Sequence, residues 1–281
     1  MARVEQYVDS QVAVITLNDG EHGNLLGPES LGELAAAVDR SVTNPGVRAV
    51  FLRSNGPSFC LGMDLAQLAA ASPSTAETEA QRAASTYADI LEGIFFAGLP
   101  FVCLVQGEVK AGGVGLACAC DIVLGVQGTT FEMAEVLFGL IPANVLPYLL
   151  ALRVPPLKVR YLVMSSKKIT GEEAMRLNMV DEIVAHTEVE TKLREIFKRL
   201  LRSSPRALAD AKAFTSELIG KSPHEAGAIA RRKLLSMLRD PSVTSGVKAF
   251  QEGGVPSWSS RFRPAAPLAL DAKPKRSEAQ Q

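Results

Sequence analysis

The chain predicts an α/β fold of repeated β-β-α units closed by a helical C-terminal region. Three observations carry the prediction. Short apolar runs of strand type, residues 12–17 and 49–52, flank a segment whose apolar residues recur at helical spacing: Leu31, Leu34, Val38 and Val42. The turn signal Ser54-Asn-Gly-Pro ends the second strand. From Pro155 onward, Leu and Ile alternate with Lys and Arg as amphipathic helices require.

The elements follow in order. After the strands at 12–17 and 49–52 and the helix at 31–42 comes a compact Phe59-Cys-Leu-Gly62-Met63-Asp64. Residues 72–86, rich in Ala, Ser, Thr and Glu, are expected as a mobile loop that runs into a helix at 84–96. Gly112-Gly113 opens a run of small residues to Cys120, as a loop does on passing into a first helical turn, and Asp121-Ile-Val-Leu is strand-like. Helices are expected at 157–164, 172–177, 188–202, 206–219 and 224–237. Past Phe262 no apolar period remains, so 263–281 is expected as a disordered tail behind a core of 1–200 and a helical region of 201–262.

Composition narrows the function classes. A length of 281 residues with 47% hydrophobic residues suits one large domain of ~250 residues. Lys plus Arg and Asp plus Glu number 30 each, so no basic excess exists to hold nucleic acid or an anionic membrane. The four cysteines, Cys60, Cys103, Cys118 and Cys120, form no C-x-x-C pair, and only three histidines accompany them; no metal is expected. Without a signal-peptide pattern or ~20 uninterrupted apolar residues, a cytoplasmic protein is the expectation.

Chemistry concentrates between Gln106 and Leu146. Glycine lets backbone amides approach a ligand unobstructed, and a helix N-terminus presents unpaired N–H groups with partial positive charge. Gly112 and Gly113 therefore suit an oxygen that becomes negative during reaction. About twenty residues on, Glu135 lies in the oily Met133-Ala-Glu-Val-Leu-Phe and is the acid/base candidate. A second backbone donor is expected from the turn at 59–64.

These segments, taken with Asp181-Glu182, resemble the crotonase superfamily, whose enoyl-CoA hydratases and isomerases show F-x-x-G-x-D, G-x-x-x-G-G-G-x-E and P-E-x-x-x-G-x-x-P. The resemblance spans roughly residues 5–262 and implies the crotonase fold, a spiral of β-β-α units. It implies an oxyanion hole from the N–H groups of Met63 and Gly112, with Glu135 handling the proton at the α-carbon. Asn24, Leu61, Asp64, Gly113, Asn144 and Phe250 are the implied substrate-binding residues. Phe250 lies in a terminal helix that often reaches a neighbouring subunit's pocket, which suggests a trimer or a dimer of trimers. The second hydratase carboxylate would fall at Gly115, and Ala134 replaces the proline of P-E.

The blocks GEVKAGGVGL and FEMAEVLFGLIPANVLPYL are similar to polyketide β-branching dehydratases. That narrower resemblance implies dehydration of 3-hydroxy-3-methylglutaryl-acyl carrier protein to its 3-methylglutaconyl form. Substrate would arrive as a phosphopantetheine or CoA thioester, with no resident cofactor. A cavity Lys, typical of the decarboxylating partner enzyme, is absent from Gln67-Leu-Ala-Ala-Ala71. Two alternatives stay open: a general acyl-CoA hydratase or isomerase, and a non-catalytic scaffold. Glu108 and Lys110 read first as surface groups, as does Arg82. Tyr87 is placed where it could meet substrate, and Asn144 reads first as a helix N-cap with Pro147 in the opening turn.

Overall fold

The computed structural model describes residues 2–70 and 76–269. The first unit comprises β1 (Val4–Asp9), β2 (Val12–Leu17) and α1 (Pro28–Thr43), and the second β3 (Ala49–Ser54), α2 (Leu65–Ala70) and α3 (Ala76–Phe95). The third comprises β4 (Phe101–Val105), β5 (Glu108–Lys110) and α4 (Gly112–Ala119). The fourth runs through β6 (Ile122–Val126), β7 (Thr130–Glu132), α5 (Leu146–Leu152) and α6 (Pro156–Ser165). Then come β8 (Ile169–Thr170), α7 (Gly171–Arg176), β9 (Glu182–Val184) and the helices α8 (Val189–Arg202), α9 (Pro205–Glu217), α10 (Pro223–Leu238) and α11 (Pro241–Gln251).

Successive units send their strands to two sheets. Six strands in the order β1-β2-β3-β4-β6-β9 form the larger, parallel except for the β1–β2 hairpin. The second strands β5 and β7 build the smaller sheet with β8, and the segment at Cys60 joins it through a parallel bridge to Val109. Because side chains alternate along a strand, the large sheet buries both faces. Ala13, Ile15, Val50, Leu52, Cys103 and Val105 point into one apolar cluster, and Val12, Val14, Ala49, Phe51, Val102 and Leu104 into another. This two-sided burial explains why its strands read as continuous apolar runs. On the second face α8 lays down Val189, Leu193, Phe197 and Leu201, with Phe197 edge-on to Phe51 at 5.6 Å. Full burial of each such side chain stabilises by ~1.5–3 kcal/mol.

Helix α4 is the centre of the molecule. All eight of its residues are buried, and a helix apolar all round belongs inside.

Two expectations need correction. The loop expected over 72–86 is largely helix: α3 begins at Ala76, where Glu77 and Glu79 suit the positive end of the helix and the alanines favour it. Residues 71–75 lie outside the described residues. The tail expected from 263 instead begins as a strap. Leu268 is buried against the α8 face, and its carbonyl accepts from Arg53 Nη1 at 2.5 Å. The amides of Leu268 and Ala269 donate to Glu190, and those of Ala265 and Ala266 to Asp9. Those polar anchors come from residues more than seventy positions away, so no local period announces them. Residues 270–281 lie outside the described residues.

Candidate active site

Three chain segments converge at the start of α4. Residues 59–64 run beside β5: the Phe59 amide donates to Glu108 O and the Lys110 amide to Cys60 O. On its other side this segment bridges Leu26, whose amide donates to Gly62 O while the Asp64 amide donates to Leu26 O. Gly62 adopts φ +91°, which glycine takes without strain, and a Cβ there would sit 3.2 Å from the Gly112 nitrogen. The peptide leading into Met63 is thus held against the one leading into Gly112. Neither the Met63 amide nor the Gly112 amide has a hydrogen-bond acceptor among the described residues.

The close approach depends on two unusual positions. A Cβ at Gly113 would fall 2.4 Å from the Cys60 carbonyl oxygen, so only glycine lets α4 lie this near the 59–64 segment. Ala111 precedes the helix at φ 46° and ψ −115°, a conformation costly for a residue with a Cβ. Its amide donates to Glu132 O, while its carbonyl accepts from the Val114 and Gly115 amides. At this turn the Gly112 amide stands ahead of the first helical hydrogen bonds, which the Val114 and Gly115 amides make.

Glu135 opens a short 3-10 turn, Glu135–Phe138, after β7. Its Oε2 is buried and has no hydrogen-bond partner among the described residues. Burial pushes its carboxyl above the ordinary value of 4.5, and its own backbone amide opposes this only in part. A carboxylate so placed is a stronger base than one in water and is easily reprotonated.

Tyr87 is the residue that sequence reasoning places only loosely. It lies on the inward stripe of α3 with Ala83, Ile90, Leu91 and Ile94 and is 3% exposed. Its hydroxyl donates to the Gly112 carbonyl at 2.5 Å. Burial pushes its phenol well above the usual range. The helical stripe marks Tyr87 as inward-facing in the sequence; nothing there tells that its partner is 25 residues away.

The other expected residues sort by what their polar atoms touch. Asn24, at φ 54°, donates to the carbonyls of Asn55 and Ser58 and accepts from the Asp19 amide. Its side chain therefore shapes the loop, with both donors committed. Asp64 caps α2 by accepting from the Gln67 amide, and Leu61 packs over Gly23. The N-cap position of α5 falls on Val145 rather than Asn144, whose amide instead donates to Ala84 O and ties this segment to α3. Glu108 pairs with Lys168 and Lys110, which hold its carboxyl below the ordinary range. Lys110 is occupied by Glu108 and Glu132, and Arg82 is exposed. Phe250 is 80% exposed on α11. Among the described residues no cluster of three His, Cys, Asp or Glu is placed for a metal ion, and no helix is long and apolar enough to cross a membrane.

Comparison with known proteins agrees with this architecture. The profile of the family Enoyl-CoA hydratase/isomerase matches residues 8–261. A Thermus thermophilus protein assigned provisionally as an enoyl-CoA hydratase is 28% identical, covering 92% of this chain and 100% of its own. Bacillaene synthase dehydratase PksH of Bacillus subtilis is 28% identical as well, covering 90% of this chain and 95% of its own. The crystal structure of an enoyl-CoA hydratase/isomerase from Marinobacter aquaeolei superposes with a TM-score of 0.82 over 92% of this chain and 100% of that one, at 22% identity, which establishes the crotonase fold. With a spiral of β-β-α units and a profile match over nearly its whole length, the chain belongs to the enoyl-CoA hydratase/isomerase family.

Proposed function

We propose that this protein is a hydro-lyase that dehydrates a β-hydroxy-β-methyl acyl thioester, the substrate being 3-hydroxy-3-methylglutaryl-acyl carrier protein and the product its 3-methylglutaconyl form. One observation carries the reading: a single half-buried, unpartnered carboxylate, Glu135, accompanies two free amides, while the position of a second carboxylate is Gly115. The likeness to the dehydratase PksH supports dehydration as the reaction.

In the proposed reaction the thioester carbonyl accepts from the Met63 and Gly112 amides. Glu135 removes the C2 proton, and the electron pair passes to the carbonyl oxygen as an enolate. Losing one such amide donor typically costs ~100- to 1,000-fold in rate. The enolate electrons then form the C2–C3 double bond as the C3–O bond breaks, and Glu135 returns its proton to the departing hydroxyl, which leaves as water. A tertiary C3 eases C–O cleavage, so one carboxylate serves as base and then acid. In this reading Gly113 gives the hole its closeness, and Leu61, Asp64 and Asn24 hold its loop. Asn144, at the end of the Glu135 segment, stays a proposed substrate contact through its side-chain oxygen, its nitrogen being bonded to Ala84 O. Exposed Phe250, with Leu234, Leu235, Leu238 and Val247, supports assembly as a trimer or dimer of trimers in which Phe250 reaches a neighbour's pocket.

A second reading, general hydration or isomerisation of acyl-CoA, is favoured by the Thermus relative. Mass spectrometry separates the two. 3-Hydroxy-3-methylglutaryl thioester on an acyl carrier protein, and separately on CoA, is incubated with wild type and with Glu135→Gln. Loss of one water on the carrier with wild type alone supports the dehydratase. Turnover of only simple crotonyl or 3-hydroxybutyryl thioesters returns the chain to acyl-CoA metabolism, and no turnover at all favours a binding scaffold.

A further inference from the structure

Gly115 and Tyr87 compete for one volume. A Cβ at Gly115 would lie 2.1 Å from the Tyr87 hydroxyl oxygen, 3.3 Å from its ζ carbon and 3.0 Å from Val145 Cγ2. Gly115 stands three residues after Gly112, on the same side of α4. A side chain there would take the space that the phenol, bonded to the Gly112 carbonyl, now fills.

We propose that Tyr87 sets which β-hydroxy thioesters the site turns over: its phenol fills the space that a side chain at position 115 needs, so the reacting carbons meet one carboxylate, and its bond to Gly112 holds the turn bearing the oxyanion amide. This rests on the dehydratase reading above. With Glu135 alone supplying protons, cleavage at a tertiary C3 proceeds, while cleavage at a secondary C3, which needs more acid assistance, is slow. Tyr87 is a positioning and specificity-determining residue in this scheme, and the leaving oxygen takes its proton from Glu135.

Exchange of the pair tests it in two arms. In the first, Gly115→Ala alone lowers the melting temperature sharply, and Tyr87→Phe/Gly115→Ala recovers most of it, because the 2.1 Å contact is gone and only Val145 Cγ2 at 3.0 Å and the ring ζ carbon at 3.3 Å remain near the new Cβ. Equal melting of Gly115→Ala with and without Tyr87→Phe overturns the packing claim. In the second arm, kcat/KM is measured for 3-hydroxybutyryl and 3-hydroxy-3-methylglutaryl thioesters. Tyr87→Ala/Gly115→Glu is expected to raise the ratio of the first to the second about tenfold or more over Tyr87→Ala, one tenfold step being ~1.4 kcal/mol of differential transition-state binding. An unchanged ratio in a folded double variant overturns the proposal, and should that variant fail to fold, the first arm decides. Inactivity of the wild type on both thioesters would sink the dehydratase reading instead, a result the melting arm does not depend on.

Discussion

The two ends of α4 are built to opposite rules. At its C-terminal end one side chain claims three carbonyls: Arg153 donates from Nε to Cys118 O and from Nη2 to Cys120 O at 2.7 Å and Asp121 O at 3.3 Å. Its Nη1 reaches Asn178 O and Met179 O and pairs with Asp181, whose other oxygen accepts from the Val123 amide. Lys212 adds a second cation, bonded to Asp121 and to the carbonyls of Ile94 and Leu99. At the N-terminal end the Gly112 amide is left without an acceptor among the described residues; the half-buried Glu135 carboxylate likewise lacks a donor on Oε2. Buried polar groups are ordinarily paired because an unpaired one costs ~1–3 kcal/mol. A helix satisfied at one end and unsatisfied at the other fits the proposed site, since open groups are those a ligand would pair.

The largest expected effect comes from closing the open end. Gly113→Ala puts a Cβ 2.4 Å from the Cys60 carbonyl oxygen and 2.9 Å from Cys60 Cβ. The 59–64 segment must then retreat from α4, separating the Met63 amide from that of Gly112. Turnover is expected to fall ~100-fold or more, as for removal of one oxyanion donor, with the loss in kcat. Retention of full kcat by a folded Gly113→Ala variant would show that the two amides need not act together.

Arg153→Ala attacks the satisfied end and sharpens the contrast. Its side chain is nine-tenths buried, and its removal strands several carbonyls and one carboxylate oxygen. Stability is expected to drop by about 3 kcal/mol, the upper range for a charged hydrogen-bonding group, read from urea unfolding. Turnover per folded molecule should change less than about threefold, well under the ~100-fold set for an oxyanion donor. A loss of kcat comparable to that of Gly113→Ala would mean that the capped end also tunes the site.

The same contrast separates what the chain announces from what it conceals. Local signals are sufficient where one segment carries the whole pattern. The strand at 12–17 has those bounds in the structure, the helix at 31–42 lengthens to 28–43, and Gly112-Gly113 does open a helix. The strands β1, β5, β7, β8 and β9 lack such a signal; most are two or three residues long and owe their state to pairing across the small sheet and the sheet edges. Arg153 gives no signal either, because its partners come from several places between Cys118 and Asp181. Glu135 stands out as an acid in an apolar run. The use of Tyr87 does not, since the glycine at 115 and the phenol that fills its space lie on different helices.

The smallest effect is a dependence of stability on pH that the two ends should not share. Burial raises the Glu135 carboxyl above its ordinary value of 4.5. Between that value and the raised one, the native state holds a proton that the unfolded chain has released. Stability therefore declines as pH rises through this window, and the cost of the buried charge is fully present above it. Glutamine carries no such cost, so Glu135→Gln is expected to be more stable than wild type at neutral pH. The gain is about 1 kcal/mol, at the low end for an unpartnered buried group because the carboxylate is partly solvated. Below the ordinary carboxylate value both proteins are neutral at this position, and the difference should vanish. Urea unfolding of both proteins on either side of the window makes the measurement. A difference independent of pH would mean that the folded Glu135 carboxyl keeps its ordinary value, whereas a difference of opposite slope would mean that it is held by a partner, the open end of α4 then being satisfied much as its capped end is.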